Sequence, residues 1–211
     1  MGYFGIFSAV LNGNSDAIAS FFDGYFNKNA SRRQDNQEFY YRDDLLIYSN
    51  HNDWVVIKWP REYFSYDETS ILLSKTFETI VSAVNIYDGD FWEHKFYKTG
   101  SLLDSFHSAP DHFEEINEKL LRFIDPGDPH LIAKELKIEV EKIKPYFNRE
   151  RNLDVHSKKA FPEDIYNVSD GLVFIDFWNK IGIRLPEEHE IPKHAFEIND
   201  DFMREMMLSR F

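Results

Sequence analysis

The 211-residue chain has no cysteine, which excludes disulfides, thiolate metal ligands and thiol nucleophiles. It has no apolar run near the ~20 residues that span a bilayer as a helix. Residues 1–11 are apolar, but no basic residue precedes them. Asn12-Gly13-Asn14 follows where a small-residue cleavage site would stand, so the segment reads as core-docking rather than as a signal peptide. Glycine-rich phosphate loops, Gly-x-Ser-x-Gly and His-Glu-x-x-His are missing. Asp88-Gly89-Asp90 lacks the further oxygen ligands and spaced Glu of a calcium loop. These absences lower the expectation of an enzyme without removing it, because sites can be assembled from distant residues. No cofactor and no metal are expected.

Aromatic residues are abundant, at 17% of the chain with 20 Phe and 11 Tyr, a content that disordered chains lack. The net charge is -13, and both halves of the sequence share it, at -6 for 1–105 and -7 for 106–211. A field of that sign repels nucleic acid and anionic lipid and attracts a basic protein. It also keeps an aromatic-rich protein soluble. The expected location is the cytoplasm.

Residues 15–26 repeat apolar side chains at helical spacing behind Ser15 as cap. Short β-branched and aromatic runs at 45–48 and 54–59 predict strands, with Pro60 closing the second. Ser65-Tyr66-Asp67-Glu68 is a capping-box signature opening a helix that ends near Ile80. Three strands follow: one at 84–87, then two around Thr99-Gly100, with Trp92, His94 and Phe96 on one face. The apolar stripe Phe113, Ile116, Leu120, Leu121, Ile124 predicts a helix, a helical pair is expected at about 129–147, and Ser169 caps a last helix ending at Gly182. The predicted class is α+β: an antiparallel sheet of about five strands with one inserted helix, covered by helices from the C-terminal half. Residues 1–211 are expected to form one unit, with 1–108 mainly sheet and 109–211 mainly helical as its subdivision.

Two local constellations carry candidate chemistry. Residues 132–147 resemble a helix-turn-helix in the basic window 134–159, with Lys142, Lys144, Arg149 and Arg151 on phosphates. Glu139, Glu141 and Pro145 in the would-be recognition helix speak against that reading. Asp104, His107, Asp111 and His112 could bind a metal or share a proton in a small hydrolase or nuclease. No recurrent ligand spacing supports the set, and a structural loop is the simpler account.

A Trp-bearing strand ending at Pro60, the helix Ile71-Leu72-Leu73-Ser74-Lys75-Thr76-Phe77, the turn Asp88-Gly89-Asp90-Phe91-Trp92 leading to Tyr97-Lys98-Thr99-Gly100, and Phe177-Trp178-Asn179-Lys180-Ile181-Gly182-Ile183 together resemble uncharacterised bacterial proteins of immunity-protein type. The likeness spans about 40–185. It implies a fold and a bacterial origin, and it carries no catalytic motif.

The leading expectation is a non-enzymatic binding protein, in the specific form of an immunity-type inhibitor of a basic toxin or effector. The expected contact residues are Trp92 on the hairpin and Glu187, Glu188, Glu190, Phe196, Asp200, Asp201 and Phe202 in the acidic segment. That segment lies within 160–205, where 11 acidic residues face 4 basic ones.

Overall fold

The N-terminal apolar segment is a strand at the heart of the sheet. In the computed structural model, which describes residues 3–34, 38–49, 51–61, 63–113, 115–149, 158–199 and 201–204, β1 (Gly5–Leu11) is antiparallel to both β4 (Trp54–Lys58) and β5 (Ile80–Tyr87). The remaining strands are β2 (Ala30–Arg32), β3 (Leu45–Ile47), β6 (Phe91–Lys98), β7 (Ser101–His107) and β8 (His194–Ile198). Among the described residues they form one eight-stranded sheet in the order β2-β8-β3-β4-β1-β5-β6-β7.

The expected five strands are therefore corrected to eight, while the α+β class holds. The three additions are β1, β2 and β8. β1 is buried on both faces and so lacks the alternation that marks a half-exposed strand. β8 lies between β2 and β3, so the acidic C-terminal segment supplies an interior strand.

Both faces of the sheet are covered. On one, α1 (Ser15–Phe26) and α2 (Tyr66–Thr76) bury Ile18, Phe22, Phe26 and Leu73 against Val10, Val55, Ile57 and Val81. On the other, α4 (Pro129–Leu136) and α5 (Phe174–Lys180) bury Ile132, Phe177 and Trp178 against Phe7, Val56, Val84 and Trp92. The inserted helix α2 thus shares its face with an N-terminal helix, where Phe202 and Met203 also pack, and the helices α4 and α5 cover the opposite face.

Local signals explain most helix ends. Asn14, rather than Ser15, caps α1 by accepting from the N–H groups of Asp16 and Ala17. Asp128 caps α4 in the same way, with Pro129 at the first position. Gly182 follows α5 at φ +85°, the left-handed geometry that glycine adopts freely. The expected long helix over 113–124 shrinks to α3 (Glu118–Leu121), with Phe113 and Leu120 exposed. The second helix of the 129–147 pair is absent: 3₁₀ turns at Val140–Lys142 and Lys144–Phe147 stand there, the latter opened by Pro145.

Ser82 and His94 share a hydrogen bond of 2.9 Å in the core, and Trp178 Nε1 donates to Ser82 Oγ at 3.1 Å. Both side chains are completely buried, and the imidazole packs edge-on to Phe177. The pair has the spacing of an activated serine, but here it is a core hydrogen bond. Burial lowers the His94 pKa to about 3.

Truncation after Pro186 removes β8 and should abolish the cooperative melt; Phe196→Ala, which empties a site packed against Phe22, should cost ~3–5 kcal/mol in urea unfolding. Because His94 binds a proton more readily in the unfolded chain, its contribution to stability is complete above about pH 6.5. It is lost at roughly 1.4 kcal/mol per pH unit as pH falls toward the folded value. Urea midpoints for wild type and His94→Phe from pH 7 to 4 should show a shallower acid loss in the variant.

Candidate functional site

With both faces covered, the ends of the strands are left as open surface, and one end is unusually aromatic. Tyr87 closes β5 and Phe91 opens β6, and the two are paired across Asp88-Gly89-Asp90. Asp88 and Gly89 both have positive φ, at 51° and 76°, a geometry that Asp-Gly sequences favour in hairpins. The turn is locked from the C-terminal layer: Gly171 N–H donates to the Gly89 carbonyl at 3.0 Å. A Cβ on Gly171 would lie 2.4 Å from that oxygen.

Three exposed rings meet at this turn. Tyr87 is edge-on to Phe4 at 5.1 Å and to Phe113 at 4.9 Å, with exposures of 39%, 38% and 66% respectively. Beneath them Phe91 is buried, stacked on Tyr87 at 5.3 Å and on His107 at 4.7 Å. His112 leans on Phe91 and Phe113.

The polar groups around the rings are fixed. His107 Nδ1 accepts from the Ala109 N–H at 3.0 Å, and Nε2 faces Glu93 at 3.2 Å. Burial and the nearby Arg149 lower the His107 pKa to about 4, so the ring is neutral and Nε2–H donates to the carboxylate. Burial in turn raises the Glu93 pKa. His112 Nε2 lies 3.8 Å from Asp90.

Beside the rings is a groove of about 490 Å³ whose lining includes Asp90, Asp111, His112, Arg149 and Asp170. The guanidinium of Arg149 is turned to the Leu121 and Asp125 carbonyls and lies over Phe106. Two of its hydrogen bonds go to the backbone, and the groove lining also holds three carboxylates.

The expected sites fare differently. Trp92 is 1% exposed, packed on Phe106 and Phe177, so it is corrected from a surface anchor to a core residue. Phe196 is likewise buried in β8, and Phe202 packs edge-on to Phe26. Glu187 pairs with His189, and Glu190 accepts two hydrogen bonds from Arg184 at 2.8 Å. Glu188 and Asp201 are exposed, and Asp200 lies outside the described residues. The acidic segment is thus partly internally paired and not one carboxylate surface.

Asp104 and His107 project from opposite faces of β7, as residues three apart must. Asp104 is buried on the α4 side, where Oδ1 accepts from the Asp128 N–H at 2.7 Å and burial raises its pKa to about 6. The four-residue metal set is not assembled, and no cluster of three or more metal-ligating side chains occurs among the described residues. The helix-turn-helix reading fails because its recognition helix is replaced by 3₁₀ turns. Lys142 pairs with Glu139, and Arg151 lies outside the described residues. Phe4 lies in the segment read as core-docking, Tyr87 in the strand expected at 84–87 and Phe113 in the expected helix stripe; Tyr87 beside Asp-Gly at a strand end is the available signal.

No helix among the described residues is long and apolar enough to cross a membrane. No protein-family model, curated protein or solved structure matches the chain.

Gly171→Ala forces the Gly89 turn away and should cost ~1–3 kcal/mol, the usual range for overpacking. The perturbation should spread to Tyr87 and Phe113 resonances in an NMR spectrum. A neutral melt with an unchanged spectrum would mean the turn is not held as described.

Proposed function

We propose that this chain is a non-enzymatic binding protein that captures a basic protein, in the specific form of an immunity-type inhibitor of a basic toxin or effector. One observation carries the reading: the edge-to-face cluster Phe4–Tyr87–Phe113 lies beside a groove whose lining includes Asp90, Asp111 and Asp170. Exposed rings in contact with one another supply rigid apolar area at low entropic cost, the property that makes aromatics interface anchors. Carboxylates beside them select a partner presenting Arg or Lys, whose cations also bind the faces of the rings. The net charge of -13 steers such a partner in from a distance. The surface offered is the end of the sheet at the Tyr87 turn, in place of Trp92 and the acidic segment.

The test measures binding of the full chain to basic proteins encoded beside its gene, by stopped-flow and calorimetry. The association rate should fall by ~10-fold or more as ionic strength rises. Phe113→Ala and Asp90→Lys should each weaken binding by about 2 kcal/mol, a hot-spot magnitude, with the melting temperature nearly unchanged because both sites are exposed. A rate indifferent to salt and an affinity indifferent to both substitutions would reject the proposal.

A further inference from the structure

Residues 113–124 carry six apolar side chains that the two cores do not use. Among the described residues, Phe113, Ile116, Leu120, Leu121, Phe123 and Ile124 belong to neither core and pack against neither. Leu120 is 57% exposed and Phe123 68%. Large apolar side chains gathered in one exposed segment mark an interaction site, where the same residues scattered singly would not.

Their order in the chain is that of an amphipathic helix. At about 100° per residue, all six fall on one half of the helix circumference, and Glu114, Glu115, Glu118, Lys119 and Arg122 all fall on the other. Among the described residues of this segment the helix is only the single turn α3. It runs on in tight turns, with the Phe123 and Ile124 N–H groups donating to the Leu120 and Leu121 carbonyls at 2.9 and 3.3 Å.

The end of a longer helix is nevertheless in place. Asp125 has φ +41° and precedes Pro126, the left-handed residue and proline that commonly stop a helix. Arg149 donates to the carbonyls of Leu121 and Asp125, where a cation complements a helix C-terminus. At the other end Phe113 is seated on Tyr87. The segment is fixed at both ends, with an incomplete helix between.

We infer that residues 113–124 fold into one amphipathic helix on the basic partner and lay its apolar face in a groove there. The contact begun at Phe113 then continues through Leu120 and Phe123. This rests on the partner reading above and extends it from the ring cluster to a segment that folds on binding. Charge selects this occupant over two others. A membrane-surface helix carries Lys and Arg on its polar face, whereas this segment holds three acidic and two basic residues. A second copy would bring a net charge of -13 against its own like.

The test compares the free chain with its complex with a basic protein encoded beside the gene. Cα chemical shifts should be helical at 118–121 in the free chain and through 113–124 in the complex. Glu118→Pro separates the two states. Position 118 opens α3, where proline is tolerated, but it is interior to the longer helix, where proline removes a hydrogen bond and clashes with the preceding turn. The variant should melt like wild type and bind on the order of 100-fold more weakly. Leu120→Ala, at an exposed site, should weaken binding by ~10-fold or more at an unchanged melting temperature, and it gives the reading where the proline variant fails to fold. Wild-type affinity in either folded variant, or shifts that are helical over the same residues before and after binding, would overturn the inference. If Phe113→Ala and Asp90→Lys still weaken binding in that case, the partner surface stands without the helix. If no neighbour-encoded basic protein binds, both fall together. Leu120-dependent dimers in sedimentation, or Leu120-dependent binding to phosphatidylcholine–phosphatidylglycerol vesicles, would give the apolar face to another occupant and overturn it as well.

Discussion

The constraint on which the structure depends is the burial of β1 on both of its faces. Phe7 and Ala9 enter one core, Ile6 and Val10 the other, and the backbone is paired on both sides. Its one interior polar side chain, Ser8, is satisfied by Ser70 Oγ at 2.9 Å and by Trp59 Nε1 at 2.8 Å. A strand in that position leaves the two sheet faces no freedom: each must carry a helical layer. Helices α1 and α2 supply one layer, with Phe202 and Met203 beside them, and α4 and α5 supply the other. What remains exposed is edges and strand ends. The Tyr87 turn lies at one such end, where β1 begins, β4 and β5 finish and β6 starts. The register pairs Gly5 with Ile86, which brings the Tyr87 turn beside the start of β1.

Much of this was legible in the residues, for local reasons. The five strands read from the sequence are those bounded by turn chemistry: Asn52 and Asp53, Asp88-Gly89 and Thr99-Gly100 all adopt positive φ. The three missed strands lack that punctuation or lack alternation. β2 is three residues long. β8, His194-Ala195-Phe196-Glu197-Ile198, buries the adjacent Ala195 and Phe196 on opposite faces and sits among charged residues. The misplacement of Trp92 has a related origin. A hairpin with aromatics on both faces shows which residues share a face, not which face is covered, and here both are. Phe113 failed in the opposite sense, because helical spacing over 113–124 implied a buried stripe where the chain forms one short helix.

Charge is distributed with a similar logic. Several carboxylates are used inside the fold: Asp44 with Arg33, Asp67 with Lys95 and Tyr97, Asp164 with Tyr146, and Asp176 with the backbone of Ile165 and Tyr166. Carboxylates so employed hold loops and helices to the sheet and contribute little to recognition. Of those lining the groove beside Phe113, Asp90 is exposed, whereas Asp111 is part-buried and Asp170 accepts from the Leu172 N–H. Composition alone could not separate these populations, since both give the same net charge.

The most direct measurement of the central claim, that the Tyr87 end of the sheet is the binding surface, is hydrogen exchange on the full chain with and without a bound basic partner. The account predicts new protection concentrated at 87–91, 108–113 and 168–170, with the strands of the core unchanged. Protection confined to 187–190, or to the β2 edge on the other side of the sheet, would contradict it.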